Sequence, residues 1–244
     1  MHLPRGARWG RAALETLRDL FYPAHCAHCE VSIGQGWICE RCRADIEPVK
    51  EPMCEVCSHT FGGAMDHFVC VNCHDRQFYF DTAVGVMQGR GVLRDLVHRF
   101  KYGHAVWLAE PLASLMLEGM DDRRLLDREF DAIVPVPLHP KRQREREYNQ
   151  SELLARELGR KTGIPMRNLL KRERNTVTQT HFDRSQRMQN LRDAFSLRQN
   201  AVVQGLNLLL VDDVFTTGST LDECARVLTG AGATTVCALT LARG

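Results

Sequence analysis

Residues 206–220 read LNLLLVDDVFTTGST, and this stretch decides the fold. An apolar run ends in two adjacent carboxylates and passes at once into hydroxyl residues and a glycine that open an amphipathic segment. A buried strand therefore feeds the start of a helix, the kind of junction at which open α/β sheets bind ligands. Backbone N–H groups at a helix N-terminus are unpaired and carry partial positive charge. Thr216, Thr217, Ser219 and Thr220 surround them with further donors, which suits a phosphate. Gly218 lets the backbone approach closely. Asp212 and Asp213, held at the strand end, are placed to accept hydrogen bonds from a neighbouring diol such as a ribose. A phosphate pocket beside a diol pocket outlines a phosphoribosyl group.

At 244 residues and 44% hydrophobic content, the chain can bury one good core and still carry a smaller module, so two units are expected. The formal charge of +2 is too small to mark the whole chain as a nucleic-acid binder. Its distribution is uneven, however. Residues 139–192 hold 14 Lys/Arg against 6 Asp/Glu, enough to attract polyphosphate or a nucleic-acid backbone, with a solvated basic face as the alternative. No stretch approaches the ~18 apolar residues of a spanning helix, and the N-terminus lacks a continuous apolar core of the signal-peptide kind. A cytoplasmic location is expected. Residues 8–21 place Trp9, Ala13, Leu17 and Leu20 at helical spacing, an amphipathic helix that would dock on the neighbouring module.

Eight of the ten cysteines fall as four C-x-x-C pairs: Cys26/Cys29, Cys39/Cys42, Cys54/Cys57 and Cys70/Cys73. Two such knuckles bring four thiolates into a tetrahedron. The structural zinc site so closed supplies folding energy that a short segment cannot draw from its own core. Pairing in sequence order costs least loop-closure entropy, while spacing alone leaves an interleaved arrangement open. Disulfides would need an oxidising compartment, and a redox or haem motif would use one pair and leave three unexplained. Cys224 and Cys237 sit in apolar patterns and read as core residues. Trp37, Phe61 and Phe68 either pack beside the metal or stack nucleobases.

The rest of the chain alternates short apolar strands with helical periodicity. A strand is expected over residues 78–87, helices near 92–100 and 107–116, and a buried strand at 131–136. A basic loop, HPKRQREREYNQ, comes next, then a helix that starts at Asn149 with Glu152 three residues on and closes near 159–163. Residues 169–193 are polar and poorly periodic, as in a long hairpin or mobile loop. The strand to Asp213, a helix to about Thr229, a Gly-Ala-Gly stop and a strand at 235–241 complete a parallel sheet. The expected organisation is an N-terminal amphipathic helix at 1–24, a double zinc ribbon at 25–77 and an α/β domain at 78–244.

VDDVFTTGST resembles the phosphoribosyl-pyrophosphate signature of type I phosphoribosyltransferases, and with the N-terminal C-x-x-C array the chain resembles the ComF family, including its GntX-like members. Phe100-Lys101-Tyr102-Gly103, VPVPLHPKRQREREYNQ, and Gln179-x-x-Phe182 with Arg187-x-x-Asn190 and Ala194-Phe195 extend the resemblance over nearly the whole chain. It implies a type I phosphoribosyltransferase-like parallel sheet flanked by helices and preceded by a small zinc-ribbon module. Asp212 and Asp213 would hold the ribose hydroxyls, and Thr216, Thr217, Gly218, Ser219 and Thr220 would wrap the 5′-phosphate. Arg142, Arg144 and Arg146 would neutralise a departing diphosphate together with Mg²⁺, with Lys101 a further phosphate contact. Gln179, Arg187 and Asn190 would belong to a hood over the acceptor. The resemblance also implies phosphoribosyl pyrophosphate as ligand and a role in natural transformation alongside competence and recombination proteins. The alternative is a single-stranded DNA-binding protein whose phosphoribosyl pocket is regulatory or vestigial. One position departs from the family: its usual Arg-Gly-Phe-Asn-Gln is here Arg146-Glu147-Tyr148-Asn149-Gln150, which sets a carboxylate where a diphosphate would be repelled.

Overall fold

The computed structural model describes residues 24–61, 69–174 and 191–244. The chain divides between Ile46 and Glu47 into two units, Met1–Ile46 and Glu47–Gly244. The larger unit is built on four parallel strands, β1 (Ala83–Gln88), β2 (Ala132–Pro135), β5 (Asn207–Phe215) and β6 (Thr235–Arg243), in the order β1-β6-β5-β2. A parallel bridge between Ile133 and Met166 extends the β2 edge. Strands 3 and 4, Leu170–Arg172 and Phe195–Leu197, form a separate antiparallel pair.

Parallel strands covered on both faces read as continuous apolar runs, and Leu208, Leu209, Leu210 and Val211 are fully buried for that reason. Burial of each such side chain is worth about 1.5–3 kcal/mol. Leu208 and Leu210 pack in one core with Leu221, Cys224, Ala225 and Leu228 of α6 (Ser219–Gly230). Alternation along the strand turns Leu209 and Val211 to the opposite face. The remaining α-helices of this unit among the described residues are α2 (Gly91–Tyr102), α3 (Ala109–Leu117), α4 (Pro140–Arg146) and α5 (Gln150–Thr162). Asn149 caps α5 by accepting from the Ser151 amide, and Gly163, at φ +78°, ends it. Cys224 and Cys237 lie in the core, as their apolar surroundings suggested.

Several boundaries differ from the sequence reading. The first strand starts at Ala83 rather than near 78; the preceding aromatics instead stack, Phe78 on Phe80 at 4.4 Å, with Phe80 edge-on to Phe215 at 6.1 Å. The basic segment expected to be a loop is helix α4. Its run Lys141–Arg146 consists of good helix formers behind a proline at the first helical position, and the His139 side chain accepts from the Lys141 amide at 3.2 Å. The 169–193 segment is anchored by the β3–β4 hairpin, while Gln179, Phe182, Arg187 and Asn190 fall outside the described residues. So do the 8–21 helix and Phe68.

The cysteine modules repeat one local design. In each, the first knuckle is a tight hairpin closed by an antiparallel bridge, His25 to Ser32 and Met53 to Thr60. The residue four after its first cysteine takes a left-handed backbone, Glu30 at φ 61° and Ser58 at φ 55°. In the smaller unit the second knuckle runs into a short helix, α1 (Glu40–Ala44), with Cys39 as its N-cap. In the larger unit Cys54, Cys57 and Cys70 share a core with Phe80, Ala83 and Phe215. The composition changes near Gln77, where the cysteines end, but the division by packing falls at Ile46 because the second module is buried against the sheet that follows it.

Candidate functional site

Asp212 and Asp213 stand near the carboxyl end of β5, and successive positions on a strand point to opposite faces. The two carboxylates accordingly meet different partners. Asp212 Oδ1 accepts from Ser151 Oγ at 2.7 Å, in the first turn of α5, and from the Asp213 amide at 2.9 Å. Asp213 Oδ1 lies 2.9 Å from Lys101 Nζ, on the last turn of α2, with the side chains 9% and 21% exposed. A pair this enclosed is strongly coupled: removal of one member leaves an uncompensated charge at a cost of about 3–5 kcal/mol. Burial alone would push the Lys101 ammonium down, but the Asp213 and Asp212 carboxylates outweigh it and hold Lys101 above its ordinary value. Asp212 is pushed up to about 6, first by burial and then by the Asp213 charge, with Ser151 and Lys101 pulling the other way. This carboxylate is thus held ionised at neutral pH against its surroundings and would gain from a cation or a hydroxyl donor.

The loop at 216–220 follows directly. Gly218 is the N-cap of α6 at φ +79°, and a Cβ there would lie 2.6 Å from Phe215 Cζ. Both conformation and space demand glycine. Thr217 Oγ1 meets Ser219 Oγ at 2.9 Å and accepts from the Ser219 amide at 3.4 Å, so the hydroxyls are arranged around the helix start. Thr216 is exposed and Thr220 half-buried.

The three arginines expected at the diphosphate part company. Arg146 Nη2 donates to Tyr102 Oη at 2.9 Å and Nη1 to Gln150 Oε1 at 3.1 Å, with its guanidinium 4.7 Å from the Tyr102 ring centre. It braces the α2–α5 junction beside Lys101. Arg142 is half-buried, and its charge is felt by Arg172 on β3. Arg144 stands exposed on α4. Lys141, Arg142 and Arg144 form no ion pair among the described residues. Glu147, in place of the family glycine, takes the left-handed backbone at φ 68° that glycine favours. Its carboxylate turns to His104 Nδ1 at 3.0 Å.

The sequence reading missed four residues around this site. Ser151 sits in the capped turn of α5, where serine is ordinary. Arg172 is half-buried over the Phe195 ring at 5.2 Å; desolvation lowers its pKa, and the nearby Cys224, Arg142 and Asp212 modulate it. Arg76 and Arg243 hold the loop from behind. A charged residue closing the apolar run TVCALTLAR was the available signal for Arg243.

A tetrahedron with metal–sulfur bonds of about 2.3 Å has sulfur–sulfur edges of about 3.8 Å. The sulfurs of Cys29 and Cys39 are 3.7 Å apart, those of Cys54 and Cys73 3.8 Å, and those of Cys57 and Cys70 3.6 Å. Within each set, Cys26/Cys29/Cys39/Cys42 and Cys54/Cys57/Cys70/Cys73, all four ligand atoms lie within 4.8 Å of one another. The pairing is sequential, and both clusters fit structural zinc. Four thiols so close resist joint ionisation without a cation. Hydrogen bonding, chiefly from Cys54, lowers Cys57 to about 4, whereas burial and then the hydrogen bond and charge of Cys57 push Cys73 up to about 12.

Two family models match, a double zinc ribbon domain over residues 17–76 and a phosphoribosyl transferase domain over residues 149–244. Together with the parallel sheet and the two four-cysteine clusters they define a phosphoribosyltransferase-like α/β protein carrying zinc ribbons. Among its relatives are competence protein F of Haemophilus influenzae, 35% identical over 217 residues, covering 85% of this chain and 92% of that protein, and DNA utilization protein YhgH of Escherichia coli K12, 32% identical over 222 residues, covering 89% and 96%. Competence protein ComFC of Bacillus subtilis is 27% identical over 213 residues, covering 84% of each. The chain belongs to the ComF family. No helix among the described residues is long and apolar enough to cross a membrane.

Proposed function

We propose that the crevice at the carboxyl end of β5 binds phosphoribosyl pyrophosphate with Mg²⁺, and that the protein serves the uptake or use of DNA in the cytoplasm, in keeping with the competence and DNA-utilization names of its relatives. The observation that carries the reading is the Asp212–Asp213 pair, with Ser151 and Lys101 fixing one carboxylate each, immediately before a glycine-opened helix N-terminus ringed by hydroxyls. Asp212 and Asp213 accept from the ribose diol, which relieves the desolvated Asp212 charge. The amides and hydroxyls at 216–220 take the 5′-phosphate. Mg²⁺ bound with the diphosphate would offset charge on the leaving group. Arg172, which feels the charges of Arg142 and Asp212, and Arg142 itself add positive charge that would offset the departing diphosphate as its C–O bond breaks and the acceptor takes the ribose carbon. No side-chain nucleophile is required.

Differential scanning fluorimetry tests this. Mg²⁺ with phosphoribosyl pyrophosphate should raise the melting temperature of the wild type and leave Asp212→Ala/Asp213→Ala unmoved; equal responses would reject the site. Pyrophosphate release across nucleobases and DNA then identifies an acceptor. A second reading, direct contact with single-stranded DNA, is favoured by Lys141, Arg142 and Arg144 of α4, which form no ion pair among the described residues. It requires salt-dependent binding that weakens when Lys141, Arg142 and Arg144 are replaced by glutamine, and an unchanged salt slope would remove it.

A further inference from the structure

Two arginines join the second cysteine module to the phosphate loop, one at each knuckle. Arg243, the last residue of β6 and 7% exposed, donates through Nε to Cys57 O at 3.0 Å, and its Nη2 lies 3.4 Å from His59 Nδ1. Its Nη1 donates to Phe215 O at 3.2 Å and Thr216 O at 3.0 Å, and the guanidinium lies 4.8 Å from the Phe215 ring centre. Arg76 donates to Asn72 O at 3.1 Å and Asn72 Oδ1 at 3.2 Å, inside the knuckle between Cys70 and Cys73. It also donates to Thr217 O and stacks on Phe78 at 3.9 Å. Farther along, the Tyr79 amide donates to Asp222 Oδ1 at 2.7 Å in the first turn of α6.

Three consecutive carbonyls, those of Phe215, Thr216 and Thr217, are therefore gripped from the cysteine side. A trans peptide plane points its N–H opposite to its C=O. Fixing these carbonyls aims the amides of Thr216, Thr217 and Gly218 away from the module, in the direction from which an anion would approach. Arginine alone among side chains offers enough fixed donors to span a knuckle carbonyl and two loop carbonyls at once. A different arginine, Arg124, anchors the same module elsewhere, through Cys54 O at 3.3 Å, Glu55 O at 3.1 Å and Ser58 Oγ at 3.0 Å. None of its described hydrogen bonds reaches the loop.

We infer that the second cysteine module is a brace for the phosphate loop, with Arg243 and Arg76 as positioning residues, so that closure of Cys54, Cys57, Cys70 and Cys73 around zinc sets the affinity for the phosphoribosyl ligand. The statement about affinity rests on the function proposed above; the statement about the loop does not. Both are read on the zinc-loaded full chain by calorimetric titration with Mg²⁺–phosphoribosyl pyrophosphate and by hydrogen exchange of the peptide containing residues 215–220. Arg243→Met and Arg76→Met should each weaken binding at least tenfold and speed exchange of that peptide at least tenfold, with zinc content unchanged at two per chain. Arg124→Lys should leave both within twofold. Unchanged loop exchange in Arg243→Met and Arg76→Met overturns the brace. Absent binding in the wild type refutes the phosphoribosyl ligand instead, with loop exchange still deciding the brace. Should Arg243→Met fail to fold, Arg76→Lys, at the partly exposed end of the network, gives the same two readouts.

Discussion

Asp212→Asn is expected to stabilise the ligand-free protein. The wild-type carboxyl is pushed from an ordinary 3.8 to about 6, first by burial and then by the neighbouring Asp213 charge. A carboxyl raised by folding works against stability. The cost is absent below the unfolded value, grows as pH rises between the two values, and is complete above the folded one. At about 1.4 kcal/mol for each tenfold change in proton affinity, it reaches about 3 kcal/mol at pH 7.5 and about 2 kcal/mol at pH 5.5. Asparagine keeps an Oδ1 for the Ser151 hydroxyl and the Asp213 amide, so neither of those donors is orphaned. The Lys101 attraction lost in the variant is already contained in the wild-type figure. Urea unfolding of the zinc-loaded chain without ligand should place Asp212→Asn above wild type by 1–3 kcal/mol at pH 7.5, narrowing by up to about 1 kcal/mol at pH 5.5. With saturating Mg²⁺ and phosphoribosyl pyrophosphate the order should reverse. A variant no more stable than wild type at pH 7.5, or a gain that does not shrink as pH falls, would refute the idea that this site holds a charge at the expense of the fold.

Three further outcomes follow from the same contacts. Gly218→Ala puts a Cβ 2.6 Å from Phe215 Cζ at φ +79°; a loss of about 2 kcal/mol is expected in urea unfolding, with weakened ligand binding, and wild-type behaviour would show that the loop relaxes freely. Lys101→Met should cost about 3 kcal/mol by stranding Asp213, and adding Asp213→Asn should recover most of it; additive losses in that double-mutant cycle would deny the coupling. Glu147→Gly removes a left-handed non-glycine residue at φ 68° and should raise stability by roughly 1 kcal/mol in thermal unfolding, whereas an equal loss would mean that the exposed contact with His104 outweighs the backbone strain.

The parts of the site legible in the sequence are those in which chemistry and local structure coincide. The 206–220 stretch carries strand, carboxylates, glycine and helix start together, and they follow in the order expected, with the strand running two residues past Asp213 to Phe215. The cysteine spacing fixed the knuckles, because a C-x-x-C turn is a local object. The basic segment was misread as a loop because its charges obscured strong helix propensity behind Pro140. The aromatic 78–82 run was read as strand because packed aromatics and paired strands share a composition.

Sequence alone determined which residue types could meet: thiolates in fours, paired carboxylates beside a hydroxyl-lined helix start, and alternating strands and helices that give a parallel sheet. Tertiary structure decided which of them act together. It assigned Asp212 to Ser151 and Asp213 to Lys101, turned Arg146 to Tyr102, laid the half-buried Arg172 over Phe195, and closed the cysteines in sequential rather than interleaved sets. It also carried Arg243 across 186 positions to the carbonyl of Cys57. Such contacts leave no periodic trace, because local propensity depends on neighbours within a turn or two. Hydrogen bonds between distant segments are set only when the sheet has formed and buried donors must find acceptors.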